Sequence, residues 1–225
     1  MMNWIVAAGL GLTFVFGSAP VGAQTSRTTT DRTAAPCLTE EQVEGNKKLL
    51  ALDRPVKKED PEWIFNPDYF LGTWSFEWTV PESPLSPSAE LIGRVTFKHI
   101  EGCYYEGELQ AKDEDLAFTQ RIQFIADPTN RWMTWIETDS RGFTLIKSGP
   151  LGGDLGGYFT HYWEVPVFTF NGKKVRLKGN HFLASPGNFR YRMQMSIDGG
   201  PYRNFGNPWF RKDTTTAPPT AKDRP

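Results

Sequence analysis

Three histidines, His99, His161 and His181, are the first residues whose chemistry invites a reading. A three-imidazole zinc site needs ligands on converging elements. These fall on three separate predicted strands, no two at a ligand-like spacing, so no metal site is expected. His161 stands out because Phe159, His161 and Trp163 alternate onto one strand face, where a polar ring among aromatics could orient a ligand. Among the carboxylates, Asp113-Glu114-Asp115 follows Lys112 at a predicted hairpin tip, a solvated loop without the spaced ligands of a calcium site. Glu77 and Glu106 lie on strands, and no two acids have surroundings different enough to divide acid and base roles. The sequence contains no Gly-x-Ser-x-Gly elbow, no CxxC pair and no dinucleotide fingerprint. Gly149 to Gly157 is glycine-dense but joins strands instead of opening a helix, which suits a mobile rim loop better than a phosphate cradle. No cofactor is expected.

What remains is an aromatic stripe. The 225 residues include 8 Trp, 7 Tyr and 16 Phe, with 21 Gly and 17 Pro, a balance that favours strands and turns over helices. The net charge of −1 and pI near 6.3 leave no basic field to hold nucleic acid. Trp74, Phe76 and Trp78 share one face of a predicted strand, as do Phe189, Tyr191, Met193 and Met195 of a later one. Alternation of this kind marks a sheet with one apolar and one wet face. An interior so built suits an apolar or flat molecule held by burial and stacking, and the candidate lining is Trp78, Phe97, Tyr105, Phe118, Trp135, His161, Trp163, Tyr191 and Met193.

These residues need strands to position them. Predicted strands cover Leu71–Val80, Leu91–Ile100, Cys103–Ala111, Leu116–Ile125, Arg131–Thr138, Phe143–Ser148, Tyr158–Trp163, Lys174–Leu183 and Phe189–Ile197. A last run, Tyr202–Arg211, contains Pro208 and reads as an edge or irregular strand. Asn171-Gly172 suits a type I′ hairpin, and Asp198-Gly199-Gly200 another tight turn. Thr39-Glu40-Glu41-Gln42 matches a capping box opening a short helix to about Leu52, and Pro61 to Phe70 suits a further helical turn begun by Pro61. Nine or ten hairpin-linked strands must hide their edges, and closing an up-and-down antiparallel barrel does so most simply, with a β-sandwich as the alternative.

The ends differ from the body. Residues 1–23 read as a signal peptide: Trp4–Gly17 is apolar but short for a bilayer, and Val21-Gly22-Ala23 offers small residues for cleavage. Residues 24–36 and 213–225 are rich in Thr, Ala, Pro, Asp and Arg without apolar periodicity and read as disordered, leaving 37–212 as the folded domain. The expected setting is periplasmic or secreted, with no membrane span once the leader is cleaved. There an even pair of cysteines, Cys37 and Cys103, suggests a disulfide.

Phe70-Leu71-Gly72-Thr73-Trp74 resembles the Gly-x-Trp opening of lipocalin-like barrels. Gly102-Cys103-Tyr104, Asp127-Pro128 to Trp132, Asp139-Ser140-Arg141-Gly142 and Ser148-Gly149 are similar in spacing to a calycin-type group of bacterial secreted proteins. The resemblance covers roughly residues 65–211 and implies an antiparallel barrel with a cup, but no particular activity. It also implies a structural role for Trp74 at the closed end, crossed by Arg211 through a cation–π contact. The Arg-x-Tyr carboxylate clamp of intracellular lipid-binding barrels is not matched, since Arg190-x-Arg192 stands there instead. The expected function is binding of a small hydrophobic or aromatic molecule in the cup, without catalysis. A cofactor-free isomerase, cyclase or hydrolase in the same cup, and a cell-envelope interaction protein, are the alternatives.

Overall fold

A computed structural model of the chain describes residues 34–153 and 159–213. The expected signal peptide at 1–23, most of the linker at 24–36 and the tail beyond 213 lie outside the described residues. Helix α1 (Glu40–Leu50) forms as the capping box requires: the Thr39 hydroxyl accepts from the Gln42 amide and the Gln42 side chain accepts from the Thr39 amide. The second helical turn is a 3-10 helix at Pro67–Phe70, opened by Asn66 and Pro67 and not by Pro61.

Twelve strands follow: β1 (Gly72–Val80), β2 (Ala89–Glu101), β3 (Tyr104–Lys112), β4 (Ala117–Asp127), β5 (Trp132–Asp139), β6 (Phe143–Gly152), β7 (Phe159–Glu164), β8 (Phe168–Phe170), β9 (Lys173–Ser185), β10 (Asn188–Ile197), β11 (Arg203–Gly206) and β12 (Trp209–Lys212). All pairings are antiparallel. From β1 to β7 each strand pairs with the next, β7 pairs with β9, β9 with β10, β10 with β12, and β12 returns to β1. The result is a closed ten-strand barrel, with β8 and β11 added beside β9 and β10. The run expected at Tyr202–Arg211 is two strands, because Pro208 has no amide to donate and breaks the ladder. Of the two, β11 stands at the end of the strand order as an edge, while β12 closes the barrel. The expected rim loop is in part regular strand, since β6 extends through Pro150 to Gly152, while residues 154–158 lie outside the described residues.

Turn chemistry sets the register. Asn171 and Gly172 have φ of 48° and 73°, and Asp198 and Gly199 have 50° and 79°, the paired positive values a type I′ turn demands. Two inward glycines make room for rings across the sheet: a Cβ at Gly93 would stand 2.3 Å from Phe76, and one at Gly107 2.5 Å from Phe97.

One end of the barrel is plugged by the 3-10 helix. Phe70 is buried among Phe97, Phe124, Trp135 and Phe189 at centroid distances of 5.2–5.8 Å, and the Trp74 indole donates to the Phe70 carbonyl at 2.7 Å. Beneath it Tyr105, Phe124 and Trp135 stack in sequence at 4.7 and 4.8 Å. Each such contact adds about 0.5–1.5 kcal/mol beyond area burial.

Cys37 and Cys103 form a disulfide that ties the helical lead-in to the start of β3 across a separation of 66 residues. Nearby, the Ala35 carbonyl accepts from the Gly102 amide at 2.8 Å. Replacing both cysteines with Ser is expected to lower unfolding free energy by about 2–4 kcal/mol, since a loop of this length gains much entropy when released. Urea denaturation under non-reducing conditions measures it, and an unchanged midpoint would show that the link constrains little.

Candidate functional site

Above the plugged end the barrel interior turns polar. β5 and β6 place Trp135, Glu137 and Asp139, and Phe143, Leu145 and Lys147, on inward-facing positions. The Lys147 ammonium donates to Glu137 at 2.6 Å, and their side chains are 2% and 3% exposed. Lys147 also lies 4.8 Å from the Trp163 ring and 5.0 Å from the Tyr191 ring. Nearer the rim, Arg141 bonds both oxygens of the buried Asp139, which also accepts from Gln120 at 2.8 Å, while the guanidinium stacks 3.7 Å over Phe118.

These groups face a cavity of about 30 Å³, room for one or two waters. Trp78, Glu137, Lys147, Trp163, Tyr191 and Met193 are among its walls. Leu85, from the loop joining β1 to β2, roofs it; that loop is tied down where Arg141 donates to the Leu85 carbonyl at 3.4 Å and Asn171 to the Pro84 carbonyl at 3.0 Å. The indole N–H groups of Trp78 and Trp163 are buried without a hydrogen-bond partner among the described residues.

Four of the nine expected lining residues therefore meet this cavity: Trp78, Trp163, Tyr191 and Met193. Phe97, Tyr105 and Trp135 are packed in the layer below, and Phe118 is covered by Arg141. The wide aromatic cup implied by the stripe is filled by its own rings. Beside Trp74 the cation is Lys212, its ammonium 5.1 Å from the indole, and not Arg211, which is exposed opposite Ser75. A one-residue difference in strand phase moves a side chain to the other face.

Two of the three histidines meet. His161 and His181 are cross-strand partners on β7 and β9, with Nδ1 atoms 3.3 Å apart, and both are buried. The Met133 carbonyl can only accept, so His161 donates to it from Nε2 at 2.9 Å and presents a bare Nδ1. His181 must then donate from its own Nδ1, leaving its Nε2 lone pair unpartnered. Its ring stacks on Tyr191 at 4.1 Å. Burial pushes the His161 imidazole down to about 3, opposed by the bond to Met133 and aided by the Lys147 charge. Burial likewise pushes His181 well below the ordinary range, with His161 and Lys147 adding to it. His99 stands apart at the β2–β3 turn, where Nε2 bonds the Gly102 carbonyl at 2.7 Å. Among the described residues no three His, Cys, Asp or Glu side chains group as metal ligands, and no helix is long and apolar enough to cross a membrane.

The reading of the residues missed Glu137, Lys147, Asp139 and Gln120. The signal was there: each is in phase with an inward aromatic or aliphatic neighbour on its own strand, a charge where the pattern demands an apolar group.

No protein-family model matches the chain, and no curated protein matches it. Among solved structures it is similar to the crystal structure of Rv2717c from M. tuberculosis, with a TM-score of 0.51 and 15% sequence identity over 64% of this chain and 93% of that one. At that identity the likeness concerns the fold alone, and the closed antiparallel ten-strand barrel is what the lipocalin-like expectation retains.

Proposed function

We propose that this protein is an exported, lipocalin-like binding protein whose barrel takes a small hydrophobic or aromatic molecule bearing a hydrogen-bond acceptor, without catalysing a reaction on it. The buried Glu137–Lys147 pair carries this reading. An ion pair inside a barrel is often no better for stability than apolar residues of similar volume, so its retention points to another use. Lys147 has three N–H donors and gives one to Glu137, and among the described residues the indole N–H groups of Trp163 beside it and of Trp78 elsewhere in the cavity wall are unpartnered. A ligand carbonyl, carboxylate or sulfonate satisfies these donors while Trp163, Tyr191 and Met193 cover its apolar body. The closed cavity holds one or two waters, so a ligand takes the space that Leu85 fills and entry requires its loop to swing outward; among the described residues two side-chain bonds from outside the loop hold it, from Arg141 and Asn171. Export is supported by the apolar leader at Trp4–Gly17 and by the disulfide.

Anilinonaphthalene sulfonate, an aromatic anion, serves as the probe. The full chain is expected to bind it at one saturable site with a rise in fluorescence, and the Glu137→Leu/Lys147→Met variant at least tenfold more weakly. Equal affinity for the two chains would move the site out of the barrel. Native mass spectrometry of protein from an exporting host then identifies any ligand retained.

A further inference from the structure

The net charge of −1 averages two unlike parts of the chain. Residues 165–212 carry nine Lys and Arg against one acid, Asp198, while the rest carries 16 basic and 25 acidic residues. Strands β9, β10, β11 and β12 fall in the basic part, and they lie side by side in the barrel wall.

The outward positions of β9 and β10 gather four of these cations. Arg190 sits between Phe182 on β9 and Trp209 on β12, Arg192 opposite Asn180, and Lys178 opposite Gln194. With Arg176 they fall within a patch roughly 20 Å long, given strand spacing and rise. Of the four, Arg176 alone has a carboxylate within ion-pair distance among the described residues, Glu164 at 3.1 Å. The others lie over rings instead: Arg190 at 5.3 Å from Trp209, Arg192 at 5.6 Å from Phe182, and Lys178 at 4.2 Å from Tyr202. A ring does not neutralise a cation, so the wall keeps a net positive charge although Glu164 stands opposite Lys178 and Glu77 opposite Trp209 at its margins.

We propose that the β9–β10–β12 wall is a docking surface for anionic phospholipid headgroups, a peripheral contact independent of the barrel interior. Guanidinium groups bond phosphate oxygens in pairs, and Trp and Tyr favour the headgroup level of a bilayer. A nucleic-acid strand fits this face less well. A cation already lies over each of the three rings on which a base would stack.

Co-sedimentation of the full chain with vesicles tests the proposal. Binding is expected to equal parts of phosphatidylglycerol and phosphatidylcholine, not to phosphatidylcholine alone, and to disappear near about 0.5 M NaCl as charges are screened. A cation near an anionic surface contributes roughly fivefold to partitioning, so Lys178→Gln/Arg190→Gln/Arg192→Gln is expected to lower it about a hundredfold. Arg94→Gln/Lys112→Gln, on β2 and β3, is expected to leave it unchanged. An unaltered melting temperature in the triple variant assigns the loss to the surface. Equal binding to both vesicle types, equal binding by the triple variant, or retention on heparin without vesicle binding would each overturn it.

Discussion

Replacing Lys147 alone with Met is expected to cost about 3–5 kcal/mol of folding free energy, whereas Glu137→Leu/Lys147→Met is expected to be as stable as the native chain or more so. The single change strands a carboxylate that is 3% exposed and whose one ion-pair partner among the described residues stood 2.6 Å away. Removing both charges removes the desolvation penalty with them, and Leu and Met fill similar volume beside Leu145 and Tyr191. Chemical denaturation of the three proteins at pH 7 provides the comparison. A single variant close to native stability would mean that solvent reaches Glu137 through the cavity, leaving the pair no more than a surface contact in effect. A double variant that is stable but no longer binds the aromatic sulfonate would separate the pair's stabilising role from its binding role.

Acid should destabilise this barrel sooner than its carboxylates alone would require. In the fold His161 titrates at about 3 and His181 is held well below its ordinary range, both chiefly by burial, whereas in the unfolded chain both titrate near 6.5. Above about pH 6.5 neither state takes the protons and stability is at its full value. As pH falls from 6.5 toward 3 the unfolded chain binds protons that the fold excludes, at about 1.4 kcal/mol per pH unit for each ring. By pH 4 His161 alone accounts for about 3 kcal/mol, a large share of the stability of an ordinary domain, and His181 adds to the loss in the same direction. Urea unfolding between pH 7 and 4.5 is expected to give a slope approaching two protons. His181→Phe, which keeps a ring against Tyr191, is expected to halve it. A flat profile over this range would show that the rings accept protons in place and that the buried arrangement opens readily.

Both predictions concern residues that the sequence and the structure treat differently, and the difference has a physical source. Whatever depends on neighbours along the chain was legible. The Thr39–Gln42 capping box, the Asn171-Gly172 turn, the period-two strands and the need to close their edges are each settled within a few residues or by a general rule about exposed ladders. So was the pairing of two cysteines, which follows from their number and the expected compartment. Which residues of a strand share a face was readable too, but that the face bearing Trp74, Phe97, Trp135 and Tyr191 points inward is decided by closure of the barrel, and so is its use. Whether the nine aromatic, His and Met side chains line a cup or fill it depends on where the strands stand around the barrel and on Phe70, which enters from a 3-10 helix outside the sheet. Pattern gives the face of a residue, not the volume left when ten strands close.

Tertiary structure alone decided which polar groups meet. His161 and His181 are twenty residues apart and become neighbours through the β7–β9 pairing, which skips β8. Glu137 and Lys147 were visible as charges in apolar phase, yet only the register of β5 against β6 brings them together. The basic wall shows the same division: sequence supplies nine cations and one acid in a single stretch, and adjacency of β9, β10 and β12 turns them into one surface. Sequence fixes what each strand presents to either side because side-chain direction alternates locally. Contact between strands is a matter of long-range register, which only the closed barrel determines.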